Sequence, residues 1–155
     1  MHTISRDMDV GRYKITDIVG GLERSVALKT LYGQHLMEVL KTTWIDVVSK
    51  PWQIWVDRDT RQITVNKDYL AETETETLYL DCIHELVHLW QLSLGADVFD
   101  RSVSYVDSPT ELEAYRYTLK DAKRLGFSRR DMVEYLKVRW ITDDEHRRLV
   151  KTVLG

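Results

Sequence analysis

The chain has 155 residues, 43% of them hydrophobic and 30% charged, with a formal net charge of −3 and a single cysteine, Cys82. That size and balance fit a single domain, 1–155, able to bury its own core, and exclude a disordered chain. They also exclude an intrachain disulfide and give no electrostatic reason to expect nucleic acid as a partner.

Gly11 to Val19 reads as a short strand or an extended arm, with Tyr13 and Ile15 alternating with polar residues, and Gly20-Gly21 breaks the chain. Leu22 to Val48 is expected to form one long helix. Leu28, Leu31, Leu36, Val39, Leu40, Trp44, Val47 and Val48 keep a three-four spacing, and Ser49-Lys50-Pro51 ends it. His35 falls on that stripe and reads as a core or boundary histidine. Trp52–Asp57 and Arg61–Asn66 alternate around the polar turn Arg58-Asp59-Thr60, which predicts a hairpin; its tryptophans, Trp52 and Trp55, are expected in the core, with a partner-binding face as the alternative. Thr73 and Glu76 have the form of a capping box for the next helix, which runs through Leu78, Ile83 and Leu86 to Leu94, with Gly95 placed as its C′ residue.

Ala96 to Asp107 is a connection, with an extended piece expected at Val103–Val106. Ser108-Pro109 has the N-cap and N1 signature of a helix running from Thr110 to Leu125 and stopped at Gly126. Ser128 caps a helix expected to reach about Trp140, and Thr142-Asp143-Asp144-Glu145 caps a last one ending near Leu154. A hairpin among helices makes the fold class α+β, with a core at about 22–126 and C-terminal helices at about 128–154. No apolar h-region opens the chain and no apolar run is long enough to cross a bilayer, so no membrane partner is expected. The lone thiol fits a reducing, cytoplasmic location.

His84-Glu85-Leu86-Val87-His88 is an H-E-x-x-H sequence in the middle of a predicted helix. Histidines four apart lie one above the other on one helix face, so two neutral imidazoles can bind one metal ion. Glu85 projects beside them, where it can take a proton from a water. A zinc site of this kind needs a third protein ligand and an open position. The longer pattern with a third histidine would need Gly at Gln91 and His at Leu94, and has neither. A di-iron bundle would need a second E-x-x-H element, which the chain lacks. His146, beside Arg147 and Arg148, reads as solvated. Two glutamates remain, Glu111 and Glu113. Glu111 lies in line with Ala114, Tyr115 and Thr118 beside the buried stripe. Glu113 lies with Arg116, Tyr117 and Lys120 on the charged face. Ala114 has no bulk and lets this helix approach the histidine helix. Glu111 is therefore the expected ligand and Glu113 the solvated partner of Arg116. The competing use of Glu111 in a Ser108 capping box is worth only about 1 kcal/mol.

His84-Glu85-x-x-His88 followed by Glu111-x-x-Ala114 resembles the gluzincin metallopeptidases, and the short chain resembles their minimal, single-domain minigluzincin form. The resemblance covers roughly Trp52 to Gly126. It implies a zincin-like fold, Zn2+ held by His84, His88 and Glu111, Glu85 as general base, and a peptide or protein substrate paired with the hairpin's edge strand. Many gluzincins carry Asp four residues after the ligand glutamate; Tyr115 stands there, which leaves the partner of the histidines open. Asp81, one turn before His84, is a candidate substitute. Tyr105, Tyr115, Tyr117 and His146 can each donate to a developing oxyanion, and Gln91 shares the histidine face. Cys82 reads as a small buried residue. The alternative function is a zinc-binding interaction or regulatory domain that is catalytically silent or latent.

Overall fold

The computed structural model describes residues 2–155. The chain opens with strand β1 (Thr3–Ile4) and strand β2 (Gly11–Lys14), turns through a single helical turn α1 (Ile15–Ile18) and returns as β3 (Val19–Gly20), which pairs with β1. Leu22 to Val48 is not one helix. It divides into α2 (Val26–Tyr32), a 3-10 turn at Gly33–His35, α3 (Leu36–Thr42) and strand β4 (Trp44–Val48). Gly33 breaks the first part at φ 56, a conformation that costs a residue with a Cβ and costs glycine little. His35 sits in that turn and is exposed, off the apolar stripe. Ile45 and Val47 point into the core in the alternation of a strand. Ile45, Val47 and Val48 are also β-branched, which favours a pleated surface.

Strands β5 (Ile54–Val56) and β6 (Ile63–Asn66) form the expected antiparallel hairpin. Parallel pairing of β4 with β6 and antiparallel pairing of β2 with β4 complete a mixed four-stranded sheet in the order β2-β4-β6-β5. Strand β5 is an edge. Ile63, Val65, Ile45 and Val47 fill the inner face, so the fold is α+β. Trp52 lies before β5, is 58% exposed, and meets Trp55 edge-on at 5.3 Å; the pair is outside the core.

A short helix, α4 (Lys67–Glu72), precedes α5 (Thr75–Ser93). The expected Thr73 capping box does not form: Thr73 ends α4, and α5 takes Glu74 as its N-cap with no side-chain cap bond. Arg6 bonds the carbonyls of Leu70 and Thr73 and the Thr75 hydroxyl, and so holds the junction from the N-terminal arm. Helix α5 is the centre of the molecule: from Leu78 to His88 every residue but Asp81 is buried, and it packs on α2, α6 (Pro109–Arg124) and β5. Gly95, at φ 87, ends it as the left-handed C′ residue, with the Ala96 N–H bonded to the Gln91 carbonyl.

Instead of an extended piece, the connection to α6 holds a 3-10 turn at Tyr105–Asp107, closed by the Ser104 hydroxyl on Asp107 at 2.6 Å. Helix α7 (Arg129–Tyr135) begins at the Ser128 box but ends well before Trp140; its last amides tighten into short turns at Leu136–Val138. Helix α8 (Asp143–Leu154) carries the expected Thr142–Glu145 box. None of the described helices is long and apolar enough to cross a membrane.

Candidate metal centre

The centre is built by the middle of α5 against the first turns of α6. His84, Glu85 and His88 are buried, and one ligand atom from each lies within 4.8 Å of the others, a group that can hold a metal ion. The first turn of α6 brings Glu111 onto them: its Oε1 lies 2.9 Å from His84 Nε2 and 3.1 Å from His88 Nε2. Ala114, fully buried, sits one turn further along and keeps the helices close. Ser108 occupies the N-cap, but its hydroxyl meets Thr110 Oγ1 at 3.1 Å and makes no cap bond. Glu111 has turned from the helix end to the histidines.

This donor set fits a cation. A carboxylate only accepts, and a neutral imidazole carries one N–H. Two Nε2 atoms aimed at the same oxygen are both satisfied only by two protons or by a positive ion. The two imidazoles face each other at 4.7 Å with their planes nearly perpendicular, at 87°. Imidazoles and carboxylates are ligand types that hold divalent metal ions.

Without a metal, burial works against ionised Glu111, but the two histidines outweigh it and hold the carboxyl far below its usual range. Burial also disfavours a charged imidazole. At His84 it prevails and the pKa lies below the ordinary value. At His88 the charges of Glu111 and Glu85 and the acceptor oxygens around the ring prevail and raise it to about 9. Burial lifts Glu85 to about 8; the charge of His88 and, less, the Val56 amide of β5 oppose that, and the charges of Glu111 and Asp81 add to it.

Around this group lies a cleft of about 1420 Å³. It is walled by β5, the α5 face from Glu74 to His88, Tyr105, the start of α6, and the segment from α7 to Trp140. Asp81 lines it but does not touch His84. It accepts from the Tyr69 hydroxyl at 2.5 Å and the Tyr135 hydroxyl at 2.8 Å, and burial raises its pKa to about 6. It is therefore not the partner of the histidines. Gln91 partners His88: its Oε1 lies 2.7 Å from His88 Nδ1, while its Nε2 donates to the Thr110 carbonyl and to Glu113 Oε1, both at 2.9 Å. Glu113 is thereby drawn into the site's support, and Arg116 turns instead to the Thr152 carbonyl. No local signal announces the Glu113 contact, which joins two helices across a long connection.

Tyr115 packs its ring 4.3 Å from that of His84 and shares a hydroxyl–hydroxyl bond of 2.6 Å with Tyr105. Burial raises the pKa of both hydroxyls far above the ordinary value, so they remain neutral donors. The other two expected donors lie elsewhere. Tyr117 packs on Trp90 and Lys120, and His146 Nε2 bonds the Val133 carbonyl. Cys82 is buried, and burial pushes its thiol up. Compared with known proteins, the chain matches no family model, no curated protein and no solved structure.

Proposed function

We propose that the protein is a zinc-dependent peptidase of the gluzincin type, zincin-like in fold, acting on a peptide or protein substrate. The observation that carries this reading is the convergence of His84 Nε2, His88 Nε2 and Glu111 Oε1 with Glu85 beside them on a cleft wall. His84, His88 and Glu111 would hold Zn2+. When bound, zinc supplies Lewis acidity that polarises a carbonyl and acidifies a water. Glu85, as general base, takes a proton from the attacking water and returns it to the leaving amine. Its position beside Val56 places it against the edge strand β5, whose unpaired backbone can take an extended peptide as an added strand. Tyr105 and Tyr115 form a neutral hydroxyl pair, with the Tyr115 ring against His84, and can donate to developing charge on oxygen.

Glu85→Gln keeps the size of the side chain and removes the base. Hydrolysis of a peptide library should fall by about 10²–10⁴-fold while zinc uptake, measured by elemental analysis, stays equimolar. Undiminished hydrolysis would reject this mechanism.

A second reading, a zinc-binding domain that is silent or latent, draws on one feature. The segment after α7 lines the same cleft, and Arg139 Nη2 donates to the Pro51 carbonyl at 2.7 Å beside β5. Equimolar zinc with no cleavage in either the native chain or Arg139→Ala favours the silent form. Cleavage by Arg139→Ala alone favours latency.

A further inference from the structure

We propose that Gln91 is a positioning residue for the metal: it holds His88 as the Nδ1–H tautomer, so that the Nε2 lone pair faces the metal position, and Glu113 and the Thr110 carbonyl lock it in place. This rests on the metal-site part of the proposed function and not on the peptidase activity.

The argument starts from the amide. A glutamine side chain can be turned end for end, and hydrogen-bond partners decide its orientation. Here one end of Gln91 meets two atoms that can only accept, the Thr110 carbonyl and Glu113 Oε1. That end must be the NH2 group. The other end is then the carbonyl oxygen, 2.7 Å from His88 Nδ1. An oxygen that only accepts requires a hydrogen on Nδ1. In a neutral ring the hydrogen is then absent from Nε2, whose lone pair is directed at Glu111 Oε1. Two acceptors would face each other there, and a cation between them removes the conflict.

Burial makes this preference strong. Gln91 is 2% exposed, so water does not compete for either end of the amide. The two histidines are unequal in this respect. His84 Nδ1 is buried with no hydrogen-bond partner among the described residues, so no acceptor there favours the Nδ1–H form. Of the two rings, His88 has its Nδ1 side held, through a chain that runs from the Glu113 carboxylate through the Gln91 amide to the imidazole. The link is made across helices: Gln91 lies one turn after His88 on α5, and Thr110 and Glu113 are in the first turns of α6 that also carry Glu111. The same amide therefore ties the orientation of one ligand to the helix that supplies another. A side chain that ends in donors alone, or in apolar atoms, could not perform both parts.

Three variants test this by zinc affinity, read by competition with a chromophoric chelator, and by nitrogen-15 spectra of His88 in the zinc-loaded protein. Gln91→Leu preserves bulk and removes all three bonds; zinc affinity should fall by about 10–100-fold. Gln91→Glu places a carboxylate against Glu113 and should also weaken binding. Adding Glu113→Gln to it restores a donor facing the new carboxylate, while the Thr110 carbonyl still opposes it, and should recover part of the lost affinity. The native spectrum should show a hydrogen on Nδ1 and metal on Nε2. Should Gln91→Leu fail to fold, the comparison of Gln91→Glu with the double variant decides. A purely structural tie would lower the melting temperature of the metal-free variants and leave the zinc affinity of the folded protein unchanged; that result, or metal on Nδ1 of His88 in the native chain, overturns the proposal. A native protein that takes up no zinc instead overturns the metal reading itself.

Discussion

Helix α6 carries a buried carboxylate near each end, and the two are finished differently. Asp121, near its C-terminus, is fully buried and meets four donors: the Ser25 hydroxyl at 2.6 Å, the Val26 and Ala27 amides at 2.9 and 3.0 Å, and Arg124 Nε at 2.9 Å. It caps α2 from another helix, and Arg124 reaches on to the Tyr79 hydroxyl, which bonds the Gly21 carbonyl. Its charge is satisfied entirely within the chain. Glu111, in the first turn, meets two imidazole nitrogens that share one of its oxygens. Asp121 is thus a completed structural joint at one end of the helix, whereas Glu111 at the other faces two histidines of a group that can hold a metal ion. A buried charge saturated by donors holds a fold together.

The sharpest way to break this contrast is to remove each carboxylate in turn. Glu111→Ala should lower zinc affinity by more than about 100-fold, beyond the range of residues that only orient ligands. Asp121→Ala should leave the zinc affinity of the folded protein within about twofold, but cost about 3 kcal/mol in denaturant unfolding. It strips a helix cap and leaves buried donors unpaired. Equal losses of affinity in the two variants would erase the distinction.

The site should also declare itself in the pH dependence of the metal-free protein. The folded pKa of His88 is raised, to about 9, so its stabilising contribution is complete below the ordinary value of 6.5 and is lost as pH rises through 9. The folded pKa of Glu85 is raised too, to about 8 from 4.5, so the cost of ionising it accrues as pH rises from 4.5 to 8. Both act in the same direction between pH 6.5 and 8, where stability should fall by about 3 kcal/mol. Zinc should reverse the sign, because its binding needs deprotonated donors and strengthens with pH. Urea unfolding at the two pH values, with and without zinc, makes the measurement. The smallest effect is expected far from the centre: Thr142→Ala removes the α8 cap, costs about 1 kcal/mol, and should leave zinc affinity unchanged.

Legibility in the sequence followed the range of the interactions. The hairpin, the histidine helix with its Gly95 stop, and the caps at Ser128 and Thr142 depend on neighbours within a turn or two, and can be read from spacing and cap residues. Glu111 could be separated from Glu113 because helical periodicity puts them on different faces. The Trp44–Val48 strand could not be separated from a helix in this way. Trp44, Val47 and Val48 satisfy a three-four spacing, while Ile45 and Val47 satisfy alternation, and a short apolar run fits both. Its place between β2 and β6 decided the matter. Glu113 shows the same limit at the site: its charged face predicted solvent, and the arrival of Gln91 from another helix drew it inward.

By itself the sequence determined the α+β class, the placement of His84, Glu85 and His88 on one helix, and Glu111 as the inward glutamate of another, because these follow from periodicity along one element. Only the tertiary structure decided that both histidines meet the same carboxylate oxygen, that Asp81 belongs to Tyr69 and Tyr135, and that Gln91 supports His88. Those relations depend on the packing of α5 against α6 and α7, and a pairing between separate helices leaves no periodic trace in either one.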